Sequence, residues 1–159
     1  MSDTLERPRS SAETAGEAHV FVTLTLADQL CGVPVLAVRD ILAEQAITRI
    51  PLAPPEIAGS LNLRGRIVTA IDLRRRLNLP AAPAGLARMS VVAEQGGELY
   101  ALLVDQVSEV LRLPAAACEA NPPTLAPAWA AYGAGIYRLQ GRLLVVLDVA
   151  QLLALAPAA

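Results

Sequence analysis

The sequence contains an internal repeat, and this repeat constrains the fold more than any other feature. Residues 63–73 align without gaps on 139–149, and residues 32–42 align in the same way on 101–111. Each half therefore presents a hairpin, a short strand, a proline-rich loop and a strand that is entered through a glycine turn. A repeated unit of this kind is typical of two small β-barrels. Because neither half can bury much apolar surface alone, we expect the two barrels to share an aliphatic interface.

The composition fits one ordinary domain, or two very small ones with a shared core. Hydrophobic residues make up 54% of the 159 residues but aromatic residues only 3%, so the interior must consist of Val, Leu, Ile and Ala. A net charge of -2 argues against a dedicated nucleic-acid-binding protein. The two cysteines, Cys31 and Cys118, are too few for a disulfide framework or a zinc site. We expect both to be small buried residues in a reducing cytosol.

The two ends of the chain differ from its middle. Residues 1–18 are polar and lack the apolar stretch of a secretory signal, so a disordered N-terminal tail is expected there. The folded domain is then expected over 19–155, followed by a short tail over 156–159. No apolar run is long enough to span a membrane without a charge or a proline. The sequence therefore predicts a soluble cytoplasmic protein.

Strand patterns dominate both halves of the sequence. Alternation from Val20 to Leu26 predicts a strand, and the return strand over 30–35 should end, or lie at a sheet edge, near Pro34. The apolar spacing in 35–42 fits a helical turn as well as an irregular strand. Residues 47–50 are interpreted as a brief strand, and 148–155 as a closing helix. The predicted class is therefore mainly β, with short helices.

No catalytic constellation is visible. The single histidine, His19, has no Ser or Cys partner in a recognisable context. Asp72 and Asp148 occupy matching positions after apolar strands and could form an acid–base pair, but the repeat symmetry favours two helix N-caps. We therefore expect a protein that is not an enzyme and needs no cofactor and no metal.

The arginines are the remaining candidates for a site. The run Arg74-Arg75-Arg76 is interpreted as a solvated helix face that can pair with carboxylates, and the alternative is an electrostatic contact to an acidic partner. Arg64 differs, because the matching position of the second half is Gln140 whereas the neighbouring glycine and arginine recur. A charge that occurs in one copy only is a candidate for a task peculiar to that copy.

Several short motifs resemble, in their order and spacing, those of the CheW-like coupling proteins of bacterial chemotaxis. The central motif is Asn62-Leu63-Arg64-Gly65, followed by the apolar strand and by Ile71-Asp72-Leu73-Arg74. The resemblance runs from about residue 21 to residue 153. It also includes the segments 31–35, 38–41, 49–51 and 102–111.

The resemblance implies a non-enzymatic adaptor built from two intertwined five-stranded SH3-like barrels, with a C-terminal helix among its short helices. Such adaptors join the regulatory domain of a CheA-type histidine kinase to the cytoplasmic tip of methyl-accepting chemotaxis receptors. They work in the cytoplasm at membrane-associated receptor arrays, without inserting into the membrane, and no nucleic acid is involved. The positions that match the family's receptor or kinase contacts are Val38, Asp40, Gly59, Asn62, Arg64 and Gly65. Two further partner-binding candidates, Val107 and Val110, match the family's second-half strip near the groove between the barrels.

The chain departs from the family pattern at a few positions. Cys31 replaces a common aromatic residue, Thr69 a common proline, and Arg39-Asp40 a common Gln-Glu pair. These departures leave open whether the pathway controls motility, or pili or biofilm as an accessory system. An alternative of another class is a basic-patch module for nucleic acid or acidic lipid that uses Arg64, Arg66 and the 74–76 run.

Overall fold

The computed structural model describes residues 17–154. The tail predicted over 156–159, and all but the last two residues of the tail predicted over 1–18, lie outside the described part. Within it the chain is mainly β, as predicted, and the helices are one or two turns long. The strands are β1 (Ala18–Leu26), β2 (Gln29–Pro34), β3 (Val38–Leu42), β4 (Ile57–Leu63), β5 (Arg66–Asp72), β6 (Met89–Gln95), β7 (Glu98–Val104), β8 (Gln106–Pro114), β9 (Gly133–Leu139) and β10 (Arg142–Leu147). The helices are α1 (Leu73–Arg76), α2 (Pro127–Tyr132) and α3 (Val149–Leu152), and 3₁₀ turns occupy Val35–Ala37 and Ala115–Ala117.

The strands form two five-stranded sheets, which confirms the predicted pair of five-stranded units. We call the sheet of order β3-β6-β7-β5-β4 the first barrel and the sheet of order β8-β1-β2-β10-β9 the second barrel. The hairpin β1–β2 comes from the first repeat but belongs to the second barrel. The hairpin β6–β7 comes from the second repeat but belongs to the first barrel. Each exchanged hairpin pairs in parallel with its new neighbour, β2 with β10 and β7 with β5. Neither sequence repeat therefore forms a barrel by itself.

The shared aliphatic interface is the main core of the molecule. It takes buried side chains from both barrels, among them Leu24 and Leu147 of the second and Ile71 and Leu102 of the first. Smaller clusters fill the interior of each barrel. On β7, Leu102 faces the shared core while its neighbour Ala101 faces the interior of the first barrel, since successive side chains of a strand point to opposite faces. One strand thus serves two cores.

Local structure follows the sequence patterns with a few differences. The ambiguous segment 35–42 contains both predicted forms, a 3₁₀ turn followed by β3. The prediction of a brief strand over 47–50 is wrong. Only an isolated bridge between Thr48 and Ser60 forms there, because the prolines that follow cannot donate backbone hydrogen bonds to continue a strand. The predicted closing helix is shorter than expected. Pro34 lies at the end of β2, which is the central strand of its sheet.

Candidate functional site

Six of the eight candidate residues lie on the first barrel. Val38 and Asp40 are on β3, Gly59 and Asn62 are on β4, and Arg64 and Gly65 form the turn to β5. The sheet order places β3 and β4 at opposite ends of the sheet, yet a side-chain contact joins Asp40 to the β4–β5 turn. The curvature of the barrel therefore brings Asp40 to the β4–β5 turn, whereas Val38 packs against the shared core. We call the surface formed by Asp40, Asn62, Arg64 and Ile67 the Asp40–Arg64 face.

The β4–β5 turn has the conformation that its sequence predicts. Arg64 and Gly65 have φ values of 51° and 88°, which is typical of a two-residue hairpin turn with both central residues left-handed. The side-chain oxygen Oδ1 of Asn62 accepts a hydrogen bond of 2.8 Å from the N–H of Gly65. This local bond is the reason an asparagine suits the position. Asn62 thereby fixes the direction in which Arg64 leaves the turn.

Arg64 forms an ion pair with Asp40 across the barrel. A guanidinium nitrogen lies 2.8 Å from Oδ2 of Asp40, while the Arg64 side chain remains 76% exposed. The other oxygen of Asp40 accepts the N–H of Ile41. An ion pair this exposed adds at most about 1 kcal/mol to stability. In the second half Glu109 and Gln140 hold the matching positions, so the charge pair belongs to the first barrel only.

Gly59 lies on β4 and is buried. A β-carbon at this position would lie 2.2 Å from the carbonyl oxygen of Thr48, because Thr48 and Ser60 exchange two backbone hydrogen bonds beside it. The matching Gly135 packs in the same way against Cys118 and Glu119. A glycine with the same close neighbour in both halves serves the architecture, since it lets the preceding loop lie against the strand.

Val107 and Val110 lie on β8 of the second barrel, away from the sheet that carries the other six candidates. Val107 is partly buried against the shared core, and its N–H donates to the sulfur of Met89 at 3.3 Å. Val110 is 59% exposed. The predicted residues therefore form two surfaces, and we call the second one the β8 strip.

The structure adds an apolar residue that sequence reasoning missed. Ile67 belongs to the apolar strand that follows the central motif, but it is 72% exposed beside Asn62, its partner on β4. Val68 and Ala70 are buried on the opposite face of β5, and on the Ile67 face only Ile71, at the far end of the strand, is buried. Period-2 alternation could not have indicated this, because it assigns Ile67 and the buried Ile71 to the same face of the strand.

Two arginines of the 74–76 run, Arg74 and Arg76, bind other parts of the chain. The prediction that the run is a solvated helix face is therefore wrong at these two positions. Both oxygens of Asp105 accept from the guanidinium of Arg74, at 2.9 and 2.6 Å, and the carbonyls of Pro80 and Ala81 accept from the same side chain. Only 9% of the Arg74 side chain is exposed. The predicted pairing with a carboxylate is thus confirmed for Arg74.

Asp105 is held by more than its arginine. One of its oxygens also accepts the N–H of Ala27, in the β1–β2 turn of the other barrel. Burial works to raise the pKa of Asp105, but the hydrogen bonds from Arg74 and Ala27 outweigh it and leave the pKa below its usual range. This carboxylate therefore joins α1, the β7–β8 connection and the exchanged hairpin.

Arg76 also serves the fold. Its guanidinium donates to the carbonyls of Leu152, Gln151 and Ala154 at the end of α3, and it lies 5.1 Å from the centre of the Tyr132 ring. A cation at a helix C-terminus satisfies carbonyls that have no partner within the helix. Because the short α1 lies against both β7 and the closing helix, its arginines meet neighbours instead of solvent. Arg75 alone is exposed.

The two repeated aspartates are helix N-caps, as predicted. Asp72 accepts the N–H groups of Arg74 and Arg75, and Asp148 accepts the N–H of Gln151. Asp72 also pairs with Arg88 at 3.0 Å. Each carboxylate is engaged in its own helix, which leaves the acid–base interpretation without support.

The two cysteines behave differently from each other. Cys31 is buried in the shared core, and this burial, together with the charge of Asp105, raises the pKa of its thiol. The prediction that Cys118 is buried is wrong: it follows the surface turn Ala115–Ala117 and is exposed. Within residues 17–154 no group of three or more His, Cys, Asp or Glu side chains could hold a metal ion.

A comparison with protein families gives this geometry its context. A family model described as "CheW-like domain" matches residues 20–156, most of the chain. The chain belongs to the CheW-like domain family.

Individual CheW proteins resemble the chain over most of their length. The chemotaxis protein CheW of Klebsiella aerogenes is 32% identical over 143 residues, which cover 90% of this chain and 85% of that protein. The CheW of Rhizobium meliloti is 27% identical over 81% of this chain and 83% of that protein. The crystal structure of the scaffolding protein TtCheW from Thermoanaerobacter tengcongensis matches with a TM-score of 0.78 and 27% identity, covering 87% of this chain and 94% of that one.

Membership in the CheW-like family places the chain among the scaffolds and adaptors of chemotaxis, whose members are not enzymes. It also explains why the conspicuous features of the site are an exposed ion pair and exposed apolar side chains. In the part of this CheW-like chain that the structure describes, none of the helices has the length and apolar character needed to cross a membrane.

Proposed function

We propose that the protein couples methyl-accepting chemoreceptors to a CheA-type histidine kinase, as a non-enzymatic adaptor at membrane-associated receptor arrays in the cytoplasm. The proposal rests on the CheW-like domain and on the similarity to proteins named as chemotaxis and scaffolding proteins. The structural observation that carries it is the exposed ion pair of Asp40 and Arg64, which the first barrel has and the second lacks.

The Asp40–Arg64 face suits a protein partner better than it suits the fold. Since the exposed pair contributes little to stability, the fold does not require it. The guanidinium has five N–H donors in a planar fork, so it can hold Asp40 and still bind a partner carboxylate. Ile67 beside it offers 72% of its side chain for burial. Arginine next to exposed aliphatic surface is typical of protein interfaces.

Two separate surfaces allow an adaptor to hold two partners at once. The Asp40–Arg64 face is on the first barrel and the β8 strip is on the second. The rigid connection between them is the shared core together with the pair of Arg74 and Asp105. We propose that kinase and receptor contacts are divided between these surfaces, so that binding to one leaves the other free.

The test compares Arg64→Ala with Gln140→Ala, the change at the matching turn of the second barrel. Binding to a CheA-type regulatory domain and to a receptor cytoplasmic fragment is measured by pull-down and titration calorimetry. Arg64→Ala is expected to weaken at least one partner by about tenfold or more, which is within the range for an interface arginine. Gln140→Ala should bind as the wild type does, and circular dichroism of both variants should be unchanged. Undiminished binding of Arg64→Ala to both partners would remove the role proposed for this residue.

The basic-patch alternative loses most of its charge in the structure. Arg74 and Arg76 are used within the fold, and Arg64 is paired with Asp40. A module for nucleic acid or anionic lipid would bind with an affinity that falls steeply with added salt. We expect no shift with DNA, RNA or anionic vesicles even at low salt.

The departures at Cys31 and Thr69 do not distinguish a motility pathway from an accessory one. Cys31 is buried in the shared core, and Thr69 lies opposite Ser60 within the first barrel. Neither belongs to the Asp40–Arg64 face. Titration against the regulatory domains of different CheA-type kinases would identify the pathway.

A further inference from the structure

The second barrel contains an apolar cavity that lies outside both the Asp40–Arg64 face and the β8 strip. Its volume is about 540 Å³, and it opens between the start of β1, the 3₁₀ turn Val35–Ala37 and β9. Its walls include Phe21, Tyr137 and Val146, which are buried members of the core inside the second barrel. The cavity is therefore a pit that reaches the barrel interior. Among the described residues, no Asp, Glu, Lys or Arg side chain lines it, and its one basic residue is the exposed His19.

One polar group in the wall has at most a weak partner. Tyr137 is 1% exposed, and its hydroxyl lies beside the thiol of Cys118, a poor hydrogen-bonding group, and bonds to no other described residue. Burial raises the pKa of Tyr137, and the neighbouring thiol of Cys118, which also lines the cavity, adds to this shift. Buried hydroxyl groups are normally satisfied, because an unpaired one keeps the full cost of losing water. The wall thus holds a hydroxyl whose hydrogen-bonding capacity is largely unused.

The first barrel is closed at the matching place. Val104 and Asp105 correspond to Val35 and Leu36 in the gapless alignment of 101–111 on 32–42. Val104 is fully buried and the Asp105 side chain is 14% exposed, whereas Val35 and Leu36 are 36% and 87% exposed.

Two replacements account for this difference. In the first barrel Arg74 binds Asp105 and the carbonyl of Pro80, in the loop that follows α1. The residue that matches Arg74 in the second half is Ala150, which can form neither contact. The residue matching Tyr137 is the apolar Leu61. An open mouth and a buried hydroxyl are therefore peculiar to the second barrel, and the repeated architecture does not require them.

We propose that this cavity binds a small uncharged molecule, with an apolar body and one group that hydrogen-bonds to Tyr137. The volume lies in the range of small-molecule sites, which are mostly apolar with a few placed polar groups. The aromatic rings of Phe21 and Tyr137, 5.6 Å apart, offer apolar walls. The cavity has the volume of a small-molecule site and reaches buried side chains of the barrel interior, which favours a small molecule over a segment of a partner protein. The proposal does not depend on the coupling role.

The test uses Cys118 as a reporter in the full chain. It is exposed at the cavity, whereas Cys31 is buried and its raised pKa keeps the thiol protonated, so one cysteine should react with iodoacetamide. The probes are 4-propylphenol and propylbenzene, which differ in the hydroxyl group. We expect both to slow alkylation of Cys118 in a saturable way, with the phenol binding about 3- to 10-fold tighter, as one hydrogen bond would give.

Three variants make the test specific. Tyr137→Phe should remove the preference for the phenol and keep the binding of propylbenzene. Ala134→Phe, at an exposed position that lines the cavity, should abolish protection by both probes. Ala43→Phe, at an exposed alanine outside the lining, is the control and should bind as the wild type does.

The proposal also predicts which NMR signals of the protein shift when the probe binds. In NMR titrations of the full chain, the methyl signals of Val35, Leu36 and Val146 should shift with the same midpoint as the protection of Cys118. Protection that does not saturate, or that persists in Ala134→Phe, would overturn the proposal. So would protection by a chemoreceptor or kinase fragment when neither probe protects, since the cavity would then belong to a protein interface.

Discussion

Arg64 and Arg74 are both peculiar to the first half of the chain, but the structure uses them in opposite ways. The second half has Gln140 and Ala150 at the matching positions. The Arg64 side chain is 76% exposed and Arg74 is 9% exposed. Arg64 can therefore bind a partner, whereas the guanidinium of Arg74 donates its hydrogen bonds to Asp105 and to two backbone carbonyls of the same chain. A difference between repeats marks a special task, but burial decides whether that task is binding or folding.

The largest effect on stability is expected from Arg74→Ala. Removing one member of a largely buried pair leaves Asp105 without its main partner, which should cost about 3 kcal/mol. Urea unfolding gives the free energy, with Arg75→Ala as the matched control because this neighbour is exposed. The control should lie within about 0.5 kcal/mol of the wild type. Equal losses in the two variants would contradict the distinction between buried and exposed arginines.

Gly59→Ala should be the next most damaging change. Its β-carbon would meet the carbonyl oxygen of Thr48, which is backbone and cannot rotate away, so about 2–3 kcal/mol should be lost. Gly65→Ala is the comparison, since a β-carbon there meets nothing within 4 Å and only the positive φ is unfavourable. Thermal unfolding should show the smaller loss, about 1 kcal/mol, for Gly65→Ala. A reversed order would show that Gly59 does not hold the loop.

Acidification should weaken the same buried pair. Because the folded-state pKa of Asp105 is lowered, the unfolded chain takes up a proton first as the pH falls. The contribution of Asp105 is therefore present above its ordinary pKa, about 3.9, and is lost as the pH falls through the lower folded-state value. Urea midpoints at pH 7 and pH 3 should differ less in Asp105→Asn than in the wild type. An unchanged difference would mean that other carboxylates account for the acid sensitivity.

Asn62→Ala should have a moderate effect. The substitution removes the acceptor of the hydrogen bond that the N–H of Gly65 donates within the turn, so the free energy of unfolding should fall by about 1 kcal/mol. Partner binding should weaken less than in Arg64→Ala, since the guanidinium remains but its direction is less well defined. Arg138→Ala, at the matching position of the second barrel, removes only an exposed pair with Glu119 and serves as the control. Binding lowered by both variants alike would argue against a site restricted to the first barrel.

The smallest change in stability is expected from Arg64→Gln, which gives the first turn the residue of the second. The exposed ion pair with Asp40 is lost, so unfolding should change by less than about 0.5 kcal/mol. Partner affinity should nevertheless fall as it does in Arg64→Ala. A large loss of stability without a loss of binding would assign Arg64 to the fold, as Arg74 is.

The sequence by itself determined the mainly β class, the pair of small barrels, the N-caps at Asp72 and Asp148, and the glycine turn that precedes β5. These features depend on the period of apolar residues and on hydrogen bonds between near neighbours, both of which can be read along the chain. The choice of Arg64 over the 74–76 run also came from the sequence, through comparison of the repeats.

The tertiary structure alone decided the exchange of hairpins, the burial of Arg74 and Arg76, the exposure of Ile67 and Cys118, and the open cavity beside Tyr137. Each of these features depends on which strands pair or pack against one another in the folded chain. Arg74 and Asp105 are 31 residues apart, and Arg76 and Leu152 are 76 apart, so no local pattern connects them. The parallel pairing of β5 with β7 and of β2 with β10 brings such residues together, because only long-range packing selects those partners.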